Sequence, residues 1–346
     1  MDNNTTYIDD FKTDRNNVKE WTEYFPKAKE GKKPLPENYN YFRRRLYSEE
    51  SKSFLLLSLR YDDEEDIFRL RINGSVKKWF LNGNTIEDLT KPKFEDCYKK
   101  ISEKIGVSHV DILGGRNTKI ESGITIELKT KFINLLKSFI WYNSFDRVEE
   151  NDTTLYFRGA FYSFILYEKQ IEIKSKNHYR RGKFIRADKP TEFSKTYLRF
   201  EVKVNSVCGV PFYEEKANTV KKIIDNWDEI IMQIQTFFKE IEFINMYSAE
   251  KEFKNGTFSE FKKYTMFREI KNFGLPNYLK LFKKEVNSKT NVTKYRNEIF
   301  SLFRSHVIED ISLREELLFE FERKINSLIY NKLNITSNSN NLLIDE

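Results

Sequence analysis

The sequence is poor in cysteine and histidine, two residue types that often build disulfide and metal sites. Its 346 residues include only Cys97 and Cys208, which lie far apart and argue against a disulfide framework and a zinc site. The three histidines, His109, His178 and His306, are scattered and form no His-x-His pair. A metal bound by this chain is therefore expected to have oxygen ligands, which suit Mg²⁺ or Mn²⁺.

Other familiar signals are also missing from the sequence. No apolar run is long enough to cross a membrane. No Walker loop is present, and no glycine-rich loop follows a strand pattern. The first residues, MDNNTTYIDDF, are polar and acidic, unlike a secretory signal. These absences predict a cytoplasmic protein with no membrane partner.

The residues that are present indicate a folded chain with a basic surplus. Hydrophobic residues make up 39%, charged residues 33% and aromatic residues 15%, as in globular proteins. The net charge of +7 permits a nucleic-acid partner without requiring one. Residues 174–189 are rich in basic side chains, among them Arg180, Arg181 and Lys183. This segment suits a DNA backbone, although a solvated loop explains it equally well.

Two regions differ in their hydrophobic pattern. Residues 1–210 have mostly strand patterns with some helices, and residues 211–333 have almost entirely helical patterns. We expect an α+β domain over 1–210, a helical domain over 211–333 and a flexible tail over 334–346. Residues 264–286 and 291–306 suit either a DNA-binding helix-turn-helix or simple packing helices.

Three segments of the first region alternate between apolar and polar residues, as half-buried strands of an antiparallel sheet do. They are residues 67–73, 109–113 and 197–204. One face of the sheet should pack on helices such as 131–142. The other face should be open and carry Arg69, Arg71, Asp111, Arg199, Glu201 and Lys203. A solvated face commonly has mixed charge, but carboxylates among arginines also suit a divalent metal beside a phosphate backbone. On that interpretation Arg69, Arg71, Arg199 and Lys203 would contact DNA.

The most informative segment is TTLYFRGAFYSFILYEKQIEI, residues 153–173, whose pattern predicts a pair of strands. Tyr167 stands two positions before Lys169, which places both side chains on one side of a strand. A phenol can be a nucleophile that holds a covalent intermediate, and a nearby lysine favours the phenolate. The pair therefore suits attack on a phosphodiester, although aromatic residues are also common in strands for packing alone.

Metal ligands are predicted from the same segments. Asp111 and Glu201 are the best candidates, and Glu172 is a third. Strict alternation would put Glu172 opposite Tyr167 unless the strand bulges or ends there.

Five segments, in order, resemble the filamentous-phage gene II family of rolling-circle replication initiators. They are YIDDF (7–11), LRINGSVKKWFLNGN (70–84), VSHVDIL (107–113), TTLYF with FILYEKQIEI (153–173), and LRFEVKV (198–204). The ordered set, more than any single motif, carries the resemblance. It implies the replication-initiator nuclease fold, an antiparallel sheet with helices on one face.

The resemblance also implies roles for individual residues. Tyr167 would match the nucleophile that becomes joined to the 5′ phosphate of nicked DNA, and Lys169 would match the basic residue beside it. Asp111 and Glu201 would match acidic positions near the metal.

The second segment would supply DNA contacts from Lys77 or Lys78 and from Asn84. The family often has a histidine just before that asparagine, whereas Gly83 stands there in this chain. Any role of that histidine is therefore in doubt here.

Together these features predict a metal-dependent enzyme that nicks DNA and starts rolling-circle replication. Tyr167 would attack origin DNA, single-stranded or cruciform, and leave a 3′ hydroxyl that primes synthesis. A host helicase and polymerase would be partners. Two alternatives stay open: a non-catalytic DNA-binding regulator, and a mobilisation relaxase with the same chemistry.

Overall fold

The computed structural model shows an α+β protein built from two compact units. The residues that it describes are 2–11, 22–23, 39–62, 67–129, 135–143, 145–150, 153–176, 179–180, 183–184, 196–245, 250–253, 256–286, 289–307 and 311–330. Unit 1 comprises Met1–Thr125, Val202–Gln235 and Phe321–Glu346. Unit 2 comprises Ile126–Glu201 and Thr236–Glu320.

The strands are short to medium in length and occur mainly in the first 204 residues. They are β1 (Asn3–Phe11), β2 (Thr22–Glu23), β3 (Tyr39–Tyr47), β4 (Phe54–Asp62), β5 (Ile67–Gly74), β6 (Arg116–Leu128), β7 (Phe139–Trp141), β8 (Asp146–Glu150), β9 (Thr154–Arg158), β10 (Tyr162–Glu168), β11 (Tyr179–Arg180), β12 (Lys183–Phe184), β13 (Thr196–Val204) and β14 (Glu242–Phe243).

The helices become longer towards the end of the chain. They are α1 (Val76–Phe80), α2 (Lys91–Ile105), α3 (His109–Gly114), α4 (Lys169–Lys176), α5 (Pro211–Ala217), α6 (Val220–Asp225), α7 (Trp227–Glu240), α8 (Phe258–Phe273), α9 (Leu275–Glu285), α10 (Lys289–His306) and α11 (Ile311–Tyr330). No helix within the described ranges is long and apolar enough to span a membrane.

Unit 1 contains an antiparallel sheet with the strand order β2-β3-β4-β5-β1-β6. The alternation predicted for β5 is confirmed, because Phe68, Leu70 and Ile72 are buried. Helix α2 packs on this buried face, where Asn4 Nδ2 donates a hydrogen bond of 3.2 Å to Tyr98 Oη. The arginines of β5 therefore lie on the face away from α2.

Unit 2 contains the strand order β13-β10-β9-β8. β9 and β10 form the predicted antiparallel hairpin, in which Tyr167 pairs with Thr154. The apolar face of the hairpin packs in an aromatic cluster around Phe164, whose ring centroid lies 4.6 Å from that of Tyr142 and 5.2 Å from that of Phe237. Tyr167 lies on the opposite, more polar face.

The region predicted to be helical is mostly helical over its described residues, with the two-residue strand β14, an isolated bridge between Glu250 and Val307, and short connecting segments. Both units draw helices from it, so the expected boundary at residue 210 does not separate the units. The expected helix 264–286 divides at Gly274, which has a φ of +92° and ends α8. The tail 334–346 lies outside the described residues.

Two elements differ from the sequence-based expectation. Residues 109–113 form helix α3 rather than a strand, because Ser108 Oγ caps the helix and accepts a 3.2 Å hydrogen bond from the Asp111 backbone N–H. The expected helix 131–142 is present in its described part only as a 3₁₀ helix over Leu135–Ser138, after which Phe139–Trp141 form β7 and pair with β14. The phenylalanine, isoleucine and tryptophan of β7 are residues that strands favour.

Candidate catalytic site around Tyr167

The end of strand β10 brings Tyr167, Lys169 and Glu172 together. β10 ends at Glu168, and Lys169 is the first residue of α4. The side chains of Tyr167 and Lys169 nevertheless meet, as their spacing predicted. Lys169 Nζ lies 3.5 Å from Tyr167 Oη, and it forms an ion pair with Glu172 one helical turn further on. The end of the strand thus brings Glu172 into the group.

The neighbouring strand β13 contributes Glu201 and Arg199. These residues are two apart on one strand and therefore share a face. Tyr167 Oη donates a hydrogen bond of 2.7 Å to Glu201 Oε1, and Arg199 Nε donates one of 2.7 Å to the same oxygen. A phenol, a carboxylate and a guanidinium are thus linked through a single oxygen atom.

The surroundings of Tyr167 favour the protonated phenol. Burial raises the pKa of Tyr167 far above its ordinary value, and the carboxylates of Glu201 and Glu172 raise it further. The expected effect of Lys169, which was to favour the phenolate, is outweighed in this arrangement. Lys169 is already paired with Glu172, and two carboxylates lie near the phenol.

The face of β13 that carries these residues is not the open face that was expected. Arg199 is 1% exposed, Lys169 3% and Glu201 7%. Two cations, Arg199 and Lys169, are matched by two anions, Glu201 and Glu172, so the group has no net charge. Buried charges require such pairing, because an isolated buried charge is costly.

The expected metal ligands belong to two different compact units. Asp111 belongs to unit 1, where it lies in the first turn of α3 and accepts a hydrogen bond of 2.7 Å from Ser108 Oγ. Within the described parts of the chain, no three histidine, cysteine or acidic side chains form a group that could hold a metal ion. The two carboxylates that do lie near Tyr167 are each ion-paired, so the donor set as it stands does not fit Mg²⁺ or Mn²⁺.

Three residues of segment 70–84 were expected to contact DNA, and their surroundings differ from one another. Lys77 is buried and forms ion pairs with Asp88 at 3.0 Å and with Asp2 at 3.8 Å. A phosphate contact by Lys77 is therefore not supported. Lys78 is half-buried on α1, and Asn84 lies half-buried in the loop that follows α1.

The other expected DNA contacts are more accessible, with one exception. Arg71 and Lys203 are exposed, and Arg69 is half-buried. Arg199 is the exception, because it is buried beside Glu201. The side chains of Arg180 (β11) and Lys183 (β12) and the whole of Arg181 lie outside the described residues.

In the region proposed as a helix-turn-helix, some of the basic residues make contacts with other residues of unit 2. Arg304 forms an ion pair with Glu242, and the Arg296 guanidinium lies 5.4 Å from the ring centroid of Trp141. These contacts favour the packing-helix alternative for 291–306.

Sequence reasoning missed a further residue near the site. Tyr156 on β9 has a raised pKa, first because of burial and then because of Glu150, with a smaller contribution from Glu201. It pairs with Ile165 across the hairpin and shares the polar face with Tyr167. The sequence did contain a signal for its position: Tyr156 stands between Leu155 and Phe157, whose buried side chains put Tyr156 on the opposite face of β9.

Comparison with known proteins adds no assignment. No protein-family model, no curated protein and no solved structure matches the chain. The resemblance to rolling-circle initiators therefore depends on the five sequence segments alone.

Proposed function

We propose that this protein is a DNA-nicking and strand-transfer enzyme with Tyr167 as its nucleophile. The observation that carries the proposal is the 2.7 Å hydrogen bond from Tyr167 Oη to Glu201 Oε1. It places a carboxylate where a general base must stand to remove the phenol proton. Tyrosine alone, without such a base, is a weak nucleophile near neutral pH.

The proposed reaction is an in-line displacement at phosphorus. Glu201 takes the phenol proton, a bond forms between Tyr167 Oη and phosphorus, and the bond between phosphorus and the 3′ oxygen breaks. The 3′ oxygen takes a proton and becomes a free hydroxyl, while the 5′ phosphate stays on Tyr167. Arg199 and Lys169 offset the negative charge that develops on the phosphate oxygens.

The raised pKa of Tyr167 explains why the proposed reaction needs Glu201 as a general base. Because burial and two carboxylates disfavour the free phenolate, the proton must leave during the attack and pass directly to Glu201. An approaching phosphodiester would take over the ion-pair partners of Glu172 and Glu201, which are Lys169 and Arg199.

Mg²⁺ or Mn²⁺ is expected from the sequence patterns and the resemblance, whereas the carboxylates around Tyr167 do not by themselves indicate a metal. Because Glu201 and Glu172 are already paired with cations, no step of the proposed reaction runs through a metal. Such an ion, when bound, would supply Lewis-acid polarisation of the scissile phosphate.

A second candidate is a nucleic-acid-binding protein without catalysis. The charge balance and burial of the group around Tyr167 favour it, since a satisfied network of this kind can serve stability alone. A mobilisation relaxase would share the chemistry of the first proposal, with origin DNA replaced by a transfer origin.

Covalent capture of DNA separates the enzyme from the binding protein. The full chain is incubated with 5′- or 3′-labelled single-stranded oligonucleotides from its own replicon, with and without Mg²⁺ or Mn²⁺, and run on a denaturing gel. A protein band labelled by the 3′-labelled strand, with the nucleotide mapped by mass spectrometry to the peptide containing Tyr167, supports the proposal, whereas the 5′ label should stay on a shortened free strand. DNA binding without an adduct under every metal condition supports the second candidate.

A further inference from the structure

One face of the unit 1 sheet combines basic and aromatic side chains. It is the face opposite the one that packs on α2, and directly paired residues of an antiparallel sheet share a face, so the register identifies its members. One row across five strands is Arg43, Ser58, Arg71, Tyr7 and Arg116. A second row is Arg45, Leu56, Asn73, Thr5 and Lys119. A third is Tyr41, Arg60 and Arg69. We call this surface the arginine face.

The arginine face has a surplus of positive charge. Its basic residues are Arg43, Arg45, Arg60, Arg69, Arg71, Arg116 and Lys119. The acidic side chains that the structure describes on this face are Asp9, which lies 3.7 Å from Arg116, and Glu121. Most of the cations are exposed, so their charge acts on the solvent side of the sheet. Such a surface attracts a polyanion.

Exposed aromatic rings lie among these cations. Tyr47 and Phe54 pair across β3 and β4, and they are 51% and 41% exposed. Their ring centroids are 5.7 Å apart, and the Arg45 guanidinium lies 5.1 Å from the centroid of Phe54. Large aromatic side chains exposed to this degree on a sheet can stack on unpaired bases.

We infer that the arginine face binds single-stranded DNA, with its cations on the phosphates and with Tyr47 and Phe54 stacked on bases. Duplex DNA keeps its bases stacked inside, so the exposed rings favour a single strand over a duplex. The inference names the substrate form and its surface for the proposed nuclease, and in that respect it rests on the proposed function.

The first test measures how binding depends on salt. Binding of a fluorescent single-stranded oligonucleotide is followed by anisotropy at several salt concentrations in the Tyr167→Phe protein, which prevents capture through this tyrosine. The Arg45→Gln/Arg71→Gln/Lys119→Gln variant should make the negative slope of log affinity against log salt shallower by about 2, because each single-strand phosphate contact contributes about −0.7.

The matched control removes the same charge from the other side of the sheet. Lys93, Lys99 and Lys104 lie on α2, and changing all three to glutamine should leave the salt slope unchanged. An equal loss in both triple variants would mean that only net charge matters, and it would overturn the inference.

The second test addresses the aromatic rings. Tyr47→Ala and Phe54→Ala should each weaken single-strand binding by about tenfold or more, while binding of the matching duplex changes little. Phe258→Ala is the control, since Phe258 is 72% exposed on α8 of unit 2. Unchanged single-strand affinity in both ring variants, or equal affinity for duplex, would contradict the assignment.

The two proposals can fail separately. If single-strand binding depends on the arginine face but the wild-type protein forms no adduct, the nuclease proposal is refuted and the DNA-binding role of the arginine face stands. If the adduct on Tyr167 forms at the same rate in the arginine-face triple variant and in the ring variants, the nuclease proposal stands and the DNA-binding role of the arginine face is refuted. Circular dichroism and thermal unfolding of every variant check that the fold is retained.

Discussion

Tyr167 and Glu201 lie on neighbouring strands and share one short hydrogen bond, in which the Tyr167 hydroxyl donates to Glu201 Oε1 at 2.7 Å. They are separated by 34 positions in the sequence. The same carboxylate oxygen accepts from Arg199 Nε, which fixes its position between a phenol and a guanidinium.

Replacing Glu201 tests its role as the general base. Glu201→Gln keeps the shape and removes the charge, so nicking should fall by about a hundredfold or more. The free energy of unfolding should also fall, by about 3 kcal/mol, because buried Arg199 loses its anion. Nicking rates and urea unfolding are measured on the same preparations.

Asp111→Asn is the control for Glu201→Gln. Asp111 accepts a hydrogen bond from Ser108 Oγ in the first turn of α3 and has no part in the proposed reaction, so nicking should be nearly unaffected. If Asp111→Asn abolished nicking and Glu201→Gln did not, the roles assigned to these two carboxylates would be reversed.

Lys169 tests whether the buried cations act only in folding. Lys169→Met removes the cation that pairs with the mostly buried Glu172 and should lower the free energy of unfolding by about 3–5 kcal/mol. The double variant Lys169→Met/Glu172→Gln removes both charges and should recover much of that stability. Nicking should stay low in both variants if Lys169 stabilises the phosphate. Recovery of nicking together with stability in the double variant would assign Lys169 a structural role.

The ion pairs of Asp88 predict how stability depends on pH in unit 1. Burial alone would raise the pKa of Asp88, but Lys77, Lys324 and the Thr125 N–H outweigh burial and hold the pKa below its ordinary value. Because the pKa of Asp88 is lower in the folded state, its contribution to the free energy of unfolding is complete above the unfolded-state pKa of about 3.9. That contribution is lost as the pH falls through the folded-state pKa.

Asp88→Asn should therefore lower the free energy of unfolding by about 3–5 kcal/mol at pH 7. The difference from wild type should shrink as the pH falls below about 4. Asp96→Asn on α2 is the control, because Asp96 is exposed and its ion pair with Lys100 spans 3.9 Å. Urea unfolding across this pH range is the measurement, and a difference that stayed constant into acid would contradict the account.

The sequence predicted those parts of the fold that depend on local alternation. The buried residues of β5 and the hairpin that carries Tyr167 followed from their period of two. Residues 109–113 also alternate, but five residues are too few to exclude a helix. Ser108 with Asp111 three positions later is a capping signal, and it explains why Val110 is 78% exposed instead of buried.

Features that depend on residues distant in the sequence were not predictable in this way. The burial of Arg199 and Lys77 depends on partners brought in by folding, such as Glu201 and Asp88. The arginine face needed the register of five strands, although the run Phe42–Tyr47, FRRRLY, was visible in the sequence. Alternation shows which face a residue is on, but it does not show what covers that face.

The most direct test of the central claim is adduct formation by Tyr167→Phe. The substitution removes one oxygen atom and should cost on the order of 1 kcal/mol of stability, so the protein stays folded and binds DNA. The account predicts that nicking and the covalent DNA adduct both disappear, whereas Tyr156→Phe and Tyr162→Phe keep the adduct. A Tyr167→Phe protein that forms the adduct at the wild-type rate would contradict the account.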